Sequence, residues 1–345
     1  MSLPNLDQQL PALQEWLNSH LPSLGRVLDS LPITGGYSNL TFRINTTAGN
    51  YMLRMPPPGS AVKTAHDMGR EFRVLAALRP YYPLVPQVHA YCEDMAVLGA
   101  PFYIMEELDG IVLRPGKEEL NNIVPEKFQL LSHLLINNLV DLHAIDIRAN
   151  GLELLGKPDG YVQRQVKGWT ERYFQSATDE LNDMNLLADW LGKQTPREQQ
   201  ATLLHNDYKY DNLLFEKNNL SSITGVLDWE MATVGDPLMD LGAALAYWFE
   251  AGDPPAFRTY NITWIKGNLS RQDCADLYAE KSGRDLSDLL FYYVFGLFKN
   301  AVIVQQIYYR WKKGLHRDNR FEALLQLVKL LGHHGMVTLE KNSIS

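Results

Sequence analysis

Leucines repeat on one helical face from Leu3 to Leu21, through Leu10, Leu13, Leu17 and Leu21, and predict an N-terminal helix. The period then shortens. Arg26–Leu28 with Leu31–Ile33, Leu40–Ile44 and Tyr51–Met55 predict three strands, with turns at Gly35-Gly36-Tyr37-Ser38-Asn39 and at Asn45–Asn50. A helix starting near Ala65 carries Glu71, followed by Phe72, Leu75 and Leu78 at core spacing. Val85–Val88 leads into a fourth strand and Ala100–Glu106 into a fifth. Beyond that point long helical periods dominate, over Phe128–Leu142, Gln163–Phe174, Asp273–Ser282, Asp288–Lys312 and Arg320–Gly332. Three short apolar runs interrupt them, at Thr202–Leu204, Leu213–Phe215 and Ile223–Leu227. The pattern is α+β, with a strand-rich first third and a mainly helical remainder. The last ten residues read as frayed.

Composition narrows the class. Of 345 residues, 46% are hydrophobic and 21% charged, the balance of an ordinary soluble enzyme. A net charge of −8 and the lack of a large Lys/Arg cluster exclude a general nucleic-acid binder. Cys92 and Cys274 have no metal-like spacing and read as buried, reduced thiols. No basic segment followed by an apolar core opens the chain, so a cytoplasmic location is expected. The most apolar segment, Leu289–Phe298, is too short to span a bilayer and predicts a buried helix, so no membrane partner is expected. Nothing in the pattern sets an oligomeric state.

The chemistry concentrates in His205-Asn206-Asp207-Tyr208-Lys209-Tyr210-Asp211-Asn212 and in Leu227-Asp228-Trp229-Glu230. Asn212 follows Asp207 by five positions, and Asp228 follows Asn212 by sixteen. Short apolar runs flank the loop, which argues for a hairpin-like catalytic loop rather than an ordinary Asp/Asn turn. Phosphoryl transfer needs a carboxylate to orient the attacking hydroxyl, and an amide and a second carboxylate to hold Mg²⁺ on the phosphates. The protein-kinase loop writes these as H-x-D-x-x-x-x-N, followed by a separate metal-binding Asp.

At these residues, and in Gly235-Asp236-Pro237-Leu238-Met239-Asp240-Leu241, the chain resembles the aminoglycoside phosphotransferase and choline kinase-like family. Asn206 stands where that family usually has Gly, and Asn tolerates the left-handed backbone such a position asks for. The resemblance covers roughly residues 30 to 315. It implies a two-lobed protein-kinase-like fold, with a small antiparallel-sheet N-lobe over 1–107 and a larger, mainly helical C-lobe over 108–345. The sequence Arg164-Gln165 followed by Trp169 resembles the branch associated with acyl-CoA dehydrogenase-like proteins.

The resemblance implies ATP and Mg²⁺ as cofactors and a small-molecule hydroxyl as acceptor. Asp207 is then the catalytic base, Lys209 a contact to the γ-phosphate or an exposed loop lysine, and Asn212 and Asp228 the metal ligands. Gly36, Ser38 and Asn39 approach the terminal phosphates. Arg54, at the usual kinase Lys position, grips phosphate with Glu71 as its partner; its planar fork changes the geometry but keeps the charge. Backbone groups around Glu106 and Leu108 meet the adenine. Glu230 either touches a second metal through water or caps a helix, while His143, Asp236 and Asp240 are structural. The acceptor is a hydroxylated acyl compound, an aminoglycoside or a choline-like amino alcohol. The rival class is a nucleotide-binding module without catalysis, which Arg54 keeps open and the full set of Asp207, Asn212 and Asp228 opposes.

Overall fold

In a computed structural model, the strand-forming runs of the first third build a five-stranded sheet in the order β1-β2-β3-β5-β4. The strands are β1 (Val27–Ile33), β2 (Leu40–Thr46), β3 (Gly49–Met55), β4 (Val88–Cys92) and β5 (Phe102–Glu106), and each pair is antiparallel. The structure describes residues 6–33, 39–57, 67–117, 120, 122–315 and 319–345. By packing, the chain divides into two units, Met1–Gly110 with Thr224–Ala232 and Ile111–Ile223 with Thr233–Ser345. A single cut after residue 107 has no place for Thr224–Ala232. That segment joins the first unit because Val226 N–H donates to Leu84 O at 2.7 Å and Thr224 Oγ1 to Asp109 O at 2.7 Å.

Helix α1 of the first unit spans Leu10–His20 and buries Leu13 and Leu17, two of the four leucines on the predicted stripe. It starts later than the periodicity suggests. Pro11 lacks an N–H, so it suits the first helical turn and not an interior position. Helix α2, Met68–Leu78, is capped by Asp67, whose carboxylate accepts from Arg70 N–H at 2.8 Å, and buries Glu71, Val74, Leu75 and Leu78. A short helix α3, Met95–Leu98, precedes β5. The outer strand β1 leaves Leu28, Leu31 and Ile33 about half exposed, as an edge strand does.

The second unit is mainly helical: α4 (Pro125–His143), α5 (Tyr161–Gln175), α6 (Asn182–Lys193), α7 (Pro237–Ala246), α8 (Arg271–Ser282), α9 (Leu289–Lys312) and α10 (Leu324–Lys341). The short strands β6 (Thr202–Leu204) and β7 (Leu213–Phe215) bracket the candidate loop. Strand β8 (Ile223–Val226), which from Thr224 on belongs to the first unit, leads to Asp228, and β9 (Thr233–Gly235) pairs antiparallel with β6. Helix α10 runs to Lys341, so the chain end is not frayed: Ile344 is buried and its carbonyl accepts from Arg271 Nε at 2.6 Å. Cys92 and Cys274 are free and buried, as expected.

Helix α9 spans the residues its periodicity predicts and continues past the apolar segment Leu289–Phe298, because the two polar residues that follow find buried partners. Lys299 Nζ donates to Asn206 O at 2.5 Å and Asn300 Nδ2 to Ala246 O at 3.3 Å. Its 24 residues would suffice to cross a membrane by length and composition, yet 72% of its apolar window packs inside the protein. It is a core helix. Helices α7 and α9 approach backbone to backbone where Gly242 faces Gly296: a Cβ on Gly242 would lie 2.4 Å from the Tyr292 carbonyl, and one on Gly296 2.5 Å from Gly242 O. Gly242→Ala should therefore destabilise the protein by about 3 kcal/mol, the upper range for overpacking a core that can only yield by moving a helix. Thermal unfolding checks it; a melting temperature equal to the parent's would show that the helices separate freely.

Candidate active site

The loop entered from β6 is held by its backbone before any side chain is considered. Both oxygens of Asp240, on α7, accept from it: His205 N–H at 2.6 Å and Asn206 N–H at 2.8 Å. Asn206 has φ +65°, the left-handed backbone its side chain tolerates. The Tyr161 hydroxyl lies 3.3 Å from its Oδ1 and 3.2 Å from its Nδ2. Tyr208 is fully buried, donating to Leu135 O at 2.9 Å and accepting from Asn138 at 2.8 Å. This clamping sets the direction in which Asp207 leaves the turn.

Asp207 is largely enclosed, with 16% of its side chain exposed. Lys209 Nζ lies 3.1 and 2.9 Å from its two oxygens, and Asn212 Nδ2 donates to its Oδ2 at 2.9 Å and to its backbone carbonyl at 2.8 Å. Burial alone would raise the Asp207 carboxyl, but Lys209, Lys299 and His205 outweigh it and hold it below the usual aspartate value. The Lys209 ammonium, which burial would lower, is driven well above the usual lysine value by Asp207. It also sits 4.6 Å from the centre of the Tyr247 ring, a cation–π contact, and Tyr247 is a hydrogen-bond partner of Asp207. So Lys209 is no exposed loop lysine. An ionised, oriented carboxylate can align a hydroxyl and accept its proton.

In the first unit, Arg54 of β3 gathers three carboxylates. Its Nε is 3.1 Å from Glu71 Oε2, its Nη2 2.5 Å from Asp228 Oδ1 and 3.6 Å from Glu230 Oε2. The Glu71 contact pairs charges without hydrogen-bond alignment. Glu71 is held besides by the Tyr103 hydroxyl and the Trp229 backbone. Burial pushes the Glu71 carboxyl up, with Arg54 opposing, and the same carboxylates lift the Arg54 guanidinium against its own burial. Asp228 has φ +67°, a backbone state that costs a non-glycine residue on the order of 1–2 kcal/mol and is seen where the surroundings over-determine it.

Other expected site residues fall as follows. Gly36 and Ser38 lie outside the described residues. Asn39 is buried and donates its Nδ2 to Glu230 Oε2 at 2.8 Å. Glu230 thus braces Asn39 and Arg54. Glu106 spends its N–H on Gln87 O at 2.8 Å and its carboxylate on Arg79 at 2.7 Å, while Leu108 lies in the coil after β5. His143 is buried between Tyr278, 2.7 Å from Nδ1, and Asp240, 3.3 Å from Nε2. Asp236 caps α7 through Leu238 N–H at 2.8 Å. Tyr247 and Lys299 carry no motif in the sequence; the one signal is a lysine directly after the apolar run of α9 and still within the helix.

An antiparallel five-stranded sheet followed by a mainly helical unit, with an Asp–Asn loop and a separate acidic turn, defines the kinase-like class of phosphotransferases. Residues 29–274 match the phosphotransferase enzyme family (APH), and the chain belongs to it. It is 30% identical to human acyl-CoA dehydrogenase family member 11 over 99% of its own length, and 32% identical to mouse acyl-CoA dehydrogenase family member 10 over 83%. It spans only 44% and 27% of those relatives. A solved structure of a candidate aminoglycoside phosphotransferase from Ralstonia eutropha aligns with a TM-score of 0.81 and 30% identity, over 96% of this chain and 98% of that one. An aminoglycoside phosphotransferase solved as a GDP and kanamycin complex shares the fold, with a TM-score of 0.62 and 16% identity over 92% of this chain and 97% of that one.

Proposed function

We propose that the chain is an Mg·ATP-dependent kinase that transfers the γ-phosphoryl group to a hydroxyl of a small molecule. One observation carries this reading: the Asp207 carboxylate is ionised, enclosed and held in place by Lys209 and Asn212. Asp207 orients the hydroxyl in line and accepts its proton late in the transfer. Lys209, which holds Asp207 here, is also the residue to meet the γ-phosphate. Arg54 positions phosphate oxygens, with Glu71 fixing its fork, and the backbone around Glu106 and Leu108 receives the adenine.

Asn212 and Asp228 suit Mg²⁺ by donor type. Asn212 uses its Nδ2 on Asp207, which leaves its amide oxygen as a hard donor, and Asp228 offers the carboxylate oxygen not bound to Arg54. Bound Mg²⁺ offsets charge that develops on the phosphate oxygens. ATP as the nucleotide is part of the proposal, because relatives of the same fold were solved with ADP and with GDP.

For the acceptor we favour a hydroxylated acyl compound, because the relatives of comparable identity are named acyl-CoA dehydrogenase family members. An aminoglycoside is the second reading, supported by the Ralstonia structure of 30% identity. A panel of hydroxyacyl thioesters, amino alcohols, sugars and aminoglycosides, assayed for transfer from γ-labelled ATP, tests both. Transfer to the thioesters alone supports the first reading. Transfer to aminoglycosides alone replaces it, and nucleotide binding without transfer to any acceptor favours a non-catalytic module.

A further inference from the structure

The side chain of Lys299 reaches from the middle of α9 into the base of the Asp207 loop. It is 3% exposed, and its Nζ donates to Asn206 O at 2.5 Å, with the Trp169 ring centre 5.8 Å away. Asn206 is the strained residue immediately before Asp207. Its N–H side is gripped by Asp240 and its carbonyl side by Lys299, so the peptide that aims Asp207 is held from both ends. A neutral donor would satisfy that carbonyl. A buried cation is unfavourable unless it acts on nearby charge, and the Asp207 and Asp240 carboxylates are the negative groups it faces.

Resting on the kinase reading, we propose that Lys299 is a positioning residue for Asp207: its ammonium locks the Asn206 carbonyl and directs its charge at the catalytic carboxylate, which makes the set of the loop depend on a proton. The charged groups around it divide by sign. Asp207 and Asp240 favour its protonated form; Lys209 on the loop and Arg172 on α5 oppose it. Burial is the strongest influence and lowers its pKa to about 8. The cation is present below that pH and lost above it. Loop geometry and turnover should therefore change together as pH rises through this value, while nucleotide affinity does not.

The test compares the parent protein with Lys299→Arg and Lys299→Gln. The first readout needs no activity: in the deuterated, ¹⁵N-labelled protein, the Asn206 and Asp207 amide resonances are followed from pH 6 to 10, the range spanning the pKa of about 8. They should move with a midpoint near 8 in the parent and stay still in Lys299→Arg, whose guanidinium does not titrate there. The second readout is turnover of Mg·ATP, with water as acceptor until a better one is known. Lys299→Gln should lower kcat by about 30-fold with KM for ATP nearly unchanged, within the 10²-fold reach of a misplaced reacting group. Lys299→Arg should recover most of kcat and remove the alkaline decline. Loop resonances that ignore pH in the parent, or that titrate equally in Lys299→Arg, overturn the proposal, as does a Lys299→Gln variant that keeps parental kcat and alkaline limb. A parent that turns over no ATP counts against the kinase reading alone, and the resonances then decide the role of Lys299.

Discussion

Asp207→Asn should lower turnover by roughly two to four orders of magnitude, the range of general-base and orienting effects, while leaving ATP affinity within a few-fold. Asparagine preserves the shape of the side chain and can still accept one hydrogen bond where Lys209 and Asn212 converge. What it loses is the negative charge and the ability to take a proton. Because the loop is clamped through Asp240, Tyr161 and Tyr208 rather than through the Asp207 side chain, the fold should survive. Steady-state kinetics on an identified acceptor, paired with nucleotide titration, measures both halves. Parental turnover in the variant would remove Asp207 from the base role. A collapse of ATP affinity would recast it as part of nucleotide binding.

The second large effect is expected at Arg54. Arg54→Ala leaves Glu71, with 3% of its side chain exposed, beside Asp228 without its cation. Removing one partner of a buried ion pair typically destabilises by about 3–5 kcal/mol, because the remaining charge stays buried. ATP use should fall as well, and Arg54→Lys should rescue it only in part, since an ammonium lacks the fork that spans several carboxylates. Glu71→Ala should weaken ATP use less, and the double variant should be no worse than Arg54→Ala, as for two residues of one network.

The pH dependence of this deficit has a definite sign. The folded-state Glu71 carboxyl already lies above its ordinary value near 4.5, through burial, and losing Arg54 raises it further. A carboxyl raised on folding contributes stability below its unfolded pKa and loses it as pH climbs through the folded value. The deficit of Arg54→Ala should thus be smallest near pH 4.5 and grow toward neutrality, and Glu71→Gln in the same chain should recover stability at pH 7. Denaturant unfolding at several pH values checks it. A deficit independent of pH, with no recovery from Glu71→Gln, would place the lost stability in packing around the arginine rather than in the buried charge.

Much of this arrangement is written locally in the chain. Period-two runs specify the strands that carry Arg54, and the spacing from Asp207 to Asn212 is short enough for the loop itself to bring the amide to the carboxylate. The pairing of Arg54 with Glu71 was legible through the family resemblance, which implies a partner for the strand residue on the helix that follows. Other features depend on which elements come to lie together. Asn206 and Lys299 are 93 residues apart, and nothing in the spacing of either announces the other; they meet because Gly242 and Gly296 let α7 and α9 approach backbone to backbone. In the same way, Glu230 braces Asn39 across 191 residues, and the segment that carries Asp228 joins the first unit through hydrogen bonds to Leu84 and Asp109. Periodicity and spacing report what each segment buries and which neighbours it can reach along the chain. Which buried polar group meets which is decided by close packing between distant segments, where a buried donor or acceptor must find its partner in whatever the fold brings within hydrogen-bond distance.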